Sequence, residues 1–197
     1  MSQFLNDLIA ELAKLPGIGE KNAERIAYFM LKRPDDENRN LGGHIGGLKD
    51  KVRFCNICGN FTEEEICSIC SDPARDLSRV CVVEEPKYIK IFEKLKIFKG
   101  VYHVLGGVIS PLNGIGPSDL AIDSLIEKAG KNRVSEVILA LNQTTEAELT
   151  GLYIHKLLKP LNVSVSKLMA GIPIGSDIEY IDVLTLSRSF EGRSKYQ

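Results

Sequence analysis

Four of the five cysteines in this 197-residue chain fall into two close pairs, Cys55-x2-Cys58 and Cys67-x2-Cys70, eight residues apart. That spacing suits tetrahedral coordination of one Zn2+ by four thiolates. With every position taken by protein sulfur, no place remains for water or substrate. The expected role is therefore structural, worth roughly 10 kcal/mol or more of folding free energy near neutral pH. Redox C-x-x-C and iron–sulfur readings compete, but two knuckles on one short polar loop favour zinc. The fifth cysteine, Cys81, sits inside the apolar run 80–83 and reads as a small buried hydrophobe.

A second candidate is the turn at residues 15–19, Leu-Pro-Gly-Ile-Gly, followed by Glu20, Lys21, Asn22, Ala23, Glu24 and Arg25. Gly17 and Gly19 permit a sharp turn whose backbone N–H groups, with the N-terminus of the following helix, face one external anion. A DNA phosphate is the natural guest. Lys21 and Arg25 would reinforce a contact that reads no base, so binding would be independent of sequence. The plainer alternative is an αα-hairpin whose turn simply needs glycine; Pro16 and the two cations favour the phosphate reading.

A third lies among carboxylates. Glu84 ends an apolar run that reads as a parallel strand, and the carboxyl edge of such sheets is where sites form. A second strand end runs into Asn142, Gln143, Thr144, Thr145, Glu146, Ala147 and Glu148. Mg2+-dependent phosphoryl chemistry wants several converging carboxylates. Here amides and hydroxyls come first, so Glu84 and Glu146, with Glu148 as a further carboxylate, could hold Mg2+ only weakly. Glu146 and Glu148 also suit a helix start through its dipole. The glycine-rich segment 106–117 lacks the spacing and lysine of a phosphate-binding P-loop and reads as a contact loop. His44, His103 and His155 have no evident catalytic partner and read as structural or exposed.

The elements that must position these groups follow from periodicity. Leu5, Leu8, Ile9 and Leu12, then Ala23, Ile26, Ala27 and Met30, recur at helical spacing over 3–14 and 20–32. Residues 34–53 read as another helix or an irregular connection. Strands over 79–83, 100–105, 136–141 and 163–168 alternate with helices over 88–98, 119–129 and 146–158. Such alternation predicts βαβ units and a parallel sheet covered on both faces. A last helix is expected over 180–190, after a Gly/Pro stretch.

Hydrophobic residues make up 44% and charged residues 26%, which excludes disordered and fibrous classes. The net charge of −1 provides no global basic field, so any nucleic-acid contact must be local. Residues 1–7 lack a secretory leader, and no apolar run reaches about 18 residues. A cytoplasmic protein without a membrane segment is expected, a reducing setting in which paired cysteines argue for metal over disulfides.

In their order, these parts resemble the RecR family of bacterial recombination mediators. The likeness runs through residues 15–25, 55–70, Val82-Val83-Glu84-Glu85-Pro86, Tyr102-His103-Val104-Leu105-Gly106-Gly107, Ser110 to Pro117, and 175–192. It implies an α+β multi-module fold: a helix-hairpin-helix over 1–53, a four-cysteine zinc finger over 54–76, a Toprim domain with parallel sheet over 77–168, and a C-terminal helical segment for subunit contacts over 169–197. Glu84 matches the first Toprim glutamate, while Asn142 and Thr144 stand where catalytic Toprim enzymes carry an Asp-x-Asp pair.

The resemblance further implies a non-enzymatic, DNA-encircling homo-oligomer, dimer to tetrameric ring. It would work with RecO and RecF to load RecA on gapped DNA coated by single-strand-binding protein. Lys21 and Arg25 match DNA-facing cations; Glu84 and Glu146 match the acidic surface facing RecO. Gln143 and Ala147 depart from the family's usual residues in that loop. A Mg2+-dependent Toprim nuclease or primase-like enzyme is the competing expectation, and a pure adaptor whose hairpin never touches DNA is a third.

Overall fold

Apolar residues at helical spacing form α1 (Gln3–Ala13) and α2 (Glu20–Lys32), which pack on one another across the 14–19 turn. The structure, a computed structural model, describes residues 2–131, 134–169 and 171–195. Met1, Ala170, Tyr196 and Gln197, within the expected terminal modules, lie outside the described residues. Contacts divide the chain into two units, split between Val52 and Arg53.

In the first unit, residues 34–53, left open between helix and irregular connection, form α3 (Asp35–Gly46) and the short α4 (Leu48–Lys51). Four glycines oppose helix here. The start is favoured by Pro34 at the N-cap and by Asp35, Asp36 and Glu37 at the positive end of the dipole, with Arg33 paired to Glu37 at 2.6 Å. Among the described residues of this unit only Ala23 and Ala27 are fully buried, and large apolar side chains such as Phe4, Phe29, Leu31, Ile45 and Leu48 stand exposed.

The second unit opens with a small antiparallel pair, β1 (Arg53–Phe54) and β2 (Phe61–Thr62), whose Phe54 and Phe61 rings lie 5.3 Å apart. A four-stranded parallel sheet follows, ordered β4-β3-β5-β6, from β3 (Asp76–Val83), β4 (Gly100–Val104), β5 (Glu136–Leu139) and β6 (Ser164–Lys167). Side chains of β3 alternate between two cores. Val80 and Val82 pack with Val101, Val137 and Leu139 under α6 (Ile122–Lys131) and α7 (Thr145–Leu158). Cys81 and Val83 pack with Tyr102, Val104 and Ile89 under α5 (Pro86–Leu95). Each fully buried aliphatic contributes about 1.5–3 kcal/mol. Gly100 is required by close approach: a Cβ there would collide with the Arg79 carbonyl and the Phe98 ring.

Several boundaries differ from expectation for local reasons. β3 begins at Asp76, before the apolar run, because Asp76 N–H bonds the Lys99 carbonyl at 2.9 Å although its side chain is exposed. The helix expected over 88–98 is α5, two residues earlier in start: Pro86 fits its first turn, and Lys96, at φ 55°, stops it. Pro117–Asp119 makes a separate 3-10 turn ahead of α6. The tail expected as one helix is a 3-10 turn (Ile178–Tyr180) and α8 (Val183–Glu191), because Asp182 caps the latter through Thr185 N–H at 2.9 Å.

Candidate zinc centre and the acidic strand ends

β1 delivers Cys55 and Cys58 into a tight knuckle. Cys55 N–H bonds the Asn60 carbonyl at 2.7 Å, and Gly59, at φ 76°, closes the turn where other residues would be strained. The second knuckle places Cys67 N–H 3.3 Å from Cys55 Sγ. All four Sγ atoms lie within 4.8 Å of one another, with Cys58 and Cys67 at 3.6 Å. A tetrahedron with Zn–S distances of about 2.3 Å has edges of about 3.8 Å, so the cluster fits zinc. Burial raises the Cys55 thiol, but backbone N–H groups of Cys67, Ile57 and Cys58 outweigh it and bring it down to about 7. A hydrogen bond with Cys70, then burial, pushes the Cys58 thiol far up. When bound, zinc supplies a cross-link and the positive charge that makes four adjacent thiolates tolerable.

The knuckle is seated on the sheet. The Cys58 carbonyl accepts Val104 N–H at 2.8 Å, and Ile69 packs against both the cysteine cluster and the α5-side core. Beyond Cys70, Arg75 forms a two-pronged pair with Glu93 at 2.6 and 2.9 Å and reaches Asp72 at 3.4 Å, while Tyr102 Oη donates to Glu93 at 2.8 Å. Arg75 holds the Glu93 carboxyl below its ordinary value, working against burial. Nothing in the spacing of Arg75, Glu93 and Tyr102 announces this clamp, since it joins three elements distant in sequence.

In the first unit, Gly17 adopts φ 80° and Gly19 caps α2 without any side-chain bond. A Cβ at Gly19 would meet nothing within 4 Å. Lys21 and Arg25, one turn apart, are both exposed, and neither forms an ion pair among the described residues.

At the carboxyl edge of the sheet, Glu84 and Glu146 line one depression together with Gly106, Ser110, Asn113, Asn142 and Thr144. Glu84 is buried, 8% exposed, and both oxygens are engaged: Oε1 accepts Asn142 N–H at 2.6 Å and Oε2 accepts Asn142 Nδ2 at 2.7 Å. Glu146, in the first turn of α7, has no side-chain ion pair among the described residues, whereas Glu148 pairs with Lys167 at 2.8 Å. Thr144 caps α7 by accepting Ala147 N–H at 3.2 Å. The glycine-rich segment folds into a small bridge, Ser110 to Ile115, and is tied to α7 where Ile109 N–H meets Thr150 Oγ1 at 2.9 Å.

Cys81 is buried, its thiol pushed up to about 12 by burial. His103 is buried too; Nε2 bonds the Ala121 carbonyl at 2.7 Å, Nδ1 finds no partner among the described residues, and burial lowers its pKa to about 4. His44 and His155 are exposed.

These features define a class: a helical hairpin unit joined to a zinc-knuckled, Toprim-like parallel sheet whose acidic edge is amide-capped. Family models agree along the chain: RecR helix-hairpin-helix at residues 5–46, the RecR four-cysteine zinc finger domain at 52–72, Toprim domain at 78–169 and RecR C-terminal at 171–194. The recombination protein RecR of Tropheryma whipplei strain TW08/27 is 48% identical over 191 residues, covering 97% of this chain and 96% of that protein. Those of Streptomyces avermitilis and Acidothermus cellulolyticus are 48% and 49% identical over 189 residues, each covering 96% of this chain and 95% of the relative. The chain belongs to the RecR family of recombination proteins, and its four clustered cysteines form the site of one structural zinc ion. No helix among the described residues is long and apolar enough to cross a membrane.

Proposed function

We propose that the protein is a recombination mediator in DNA repair, without catalysis of its own, that grips DNA through the 15–19 turn. The observation that carries this is the open N-terminus of α2: Gly19 leaves the first amides uncovered, and Lys21 and Arg25 stand beside them without ion partners among the described residues. Gly17 sets the turn; Gly19 answers no steric need within the chain and keeps the approach clear for a phosphate. DNA would be held without reading sequence.

On this reading the acidic sheet edge docks protein partners. Glu146 presents its carboxylate at the surface of the depression, and Glu84 fixes the shape of the loop beneath it through Asn142. RecO and RecF are the partners the family suggests, and loading RecA on gapped, protein-coated DNA is the task. Association of like chains into a dimer or tetrameric ring is supported by the first unit, in which two alanines alone are completely buried among the described residues while eight large apolar side chains stand exposed; the cytoplasm is the expected setting.

Fluorescence anisotropy of labelled DNA across a salt series tests the grip. Wild type should bind with a clear salt slope, and Lys21→Ala, Arg25→Ala should lose about 0.9 of slope per phosphate contact, alone or with RecO present. Identical behaviour of the two proteins would move the DNA contact elsewhere.

A Mg2+-dependent Toprim enzyme is favoured only by the convergence of Glu84 and Glu146 on one depression. With Glu84 already satisfied by Asn142, weak Mg2+ binding at Glu146 is the most that reading supports. Divalent-dependent nuclease or synthetic activity that vanishes in Glu84→Gln would establish it.

A further inference from the structure

We infer that Lys128 is the counter-charge of the zinc centre, a cation supplied by the sheet-covering helix α6 to a cluster it does not adjoin in sequence. The argument begins at β4, an outer strand of the sheet. Leu105 N–H bonds the Val83 carbonyl, so backbone groups two residues apart, at 102 and 104, point the other way, to the free side. On that side Val104 N–H is taken by the Cys58 carbonyl at 2.8 Å, and the Tyr102 carbonyl is taken by Lys128 Nζ at 3.1 Å. The knuckle and the ammonium therefore sit side by side on one stretch of backbone.

A Zn2+ ion bound by four thiolates leaves two negative charges in excess, close to a buried core. Lys128 answers this need. Its side chain is half-buried, yet no carboxylate among the described residues pairs with it. A half-buried ammonium with one carbonyl acceptor and no carboxylate is otherwise an unfavourable arrangement; the thiolates supply the missing partner. Groups that surround a metal's ligands typically set its affinity by roughly 10- to 100-fold.

The test uses the full chain loaded with zinc, in wild type, Lys128→Met and Lys128→Arg. Methionine keeps an unbranched chain, one heavy atom shorter and without charge, and removes a desolvation cost, so the variant should fold; zinc-loaded melting curves check this. Zinc affinity is read by competition with a chromophoric chelator, and zinc loss by its rate after chelator addition. Lys128→Met should hold zinc roughly 10- to 100-fold more weakly and release it faster, while Lys128→Arg should stay near wild type. Wild-type affinity in Lys128→Met would overturn the inference. So would equal weakening in both variants, since shape rather than charge would then be responsible.

Discussion

The bond between Glu84 and Asn142 sets what the sheet's acidic edge can do. A carboxylate at 142 would face the Glu84 carboxylate across the two short contacts now made by N–H donors, 2.6 and 2.7 Å. One of those contacts is backbone and would persist; the other would become a like-charge repulsion. Asn142→Asp should therefore lower the melting temperature in chelator and recover it on adding Mg2+, whereas wild type should respond weakly or not at all. A variant equally stable with and without Mg2+ would sink this account. The sequence made the deficit of carboxylates legible at Asn142 and Thr144. It could not reveal that Asn142 grips Glu84, because that contact spans 58 positions and depends on the β3–β5 register.

His103 carries a second prediction at this scale. Buried and held neutral, with its pKa lowered to about 4, it binds a proton less readily folded than unfolded. The unfolded chain takes up that proton as pH falls through about 6.5. Stability should thus be full above about 6.5 and decline as pH drops towards 4. His103→Gln, which can still donate to the Ala121 carbonyl, should flatten that part of a pH–stability curve measured by urea unfolding.

Between elements, the clamp of Arg75, Glu93 and Tyr102 joins the chain leaving the zinc knuckle to α5 and β4. Glu93→Gln takes the two-pronged carboxylate from Arg75, leaving the longer Asp72 contact at 3.4 Å, and should cost about 1–3 kcal/mol in urea unfolding, the scale of a hydrogen bond to a charged group. The glutamate's pKa is lowered, so its contribution is present above the ordinary carboxyl value of 4.5 and is lost as pH falls towards the depressed one. A Glu93→Gln protein as stable as wild type at pH 7 would refute this. The elements themselves were mostly readable. The continuous apolar run 80–83, buried throughout, and the helical pattern over 146–158, whose buried positions 147, 150, 154 and 158 recur at helical spacing, made type and order readable. Ends were less readable. Asp76 joins β3 through backbone pairing alone, and Lys96 stops α5 by adopting a left-handed conformation usually left to glycine or asparagine.

For the whole molecule, the four cysteines were the plainest signal, because metal-ligand spacing survives in sequence where tertiary contacts do not. The seat of the knuckle on β4 was invisible there, and it extends what the metal does. A parallel sheet of this size has two open flanks, and the bond from Val104 N–H to the Cys58 carbonyl places the zinc module over one of them. Metal removal should then do more than loosen a loop: it releases the Val104 N–H on the open edge beside the apolar residues Tyr102 and Val104, a starting point for pairing with another chain. Zinc-stripped protein should scatter light at a rate that rises steeply with concentration, and prompt zinc addition should prevent it. In a metal-starved cell this protein's first failure would then be clumping, with loss of function following from it.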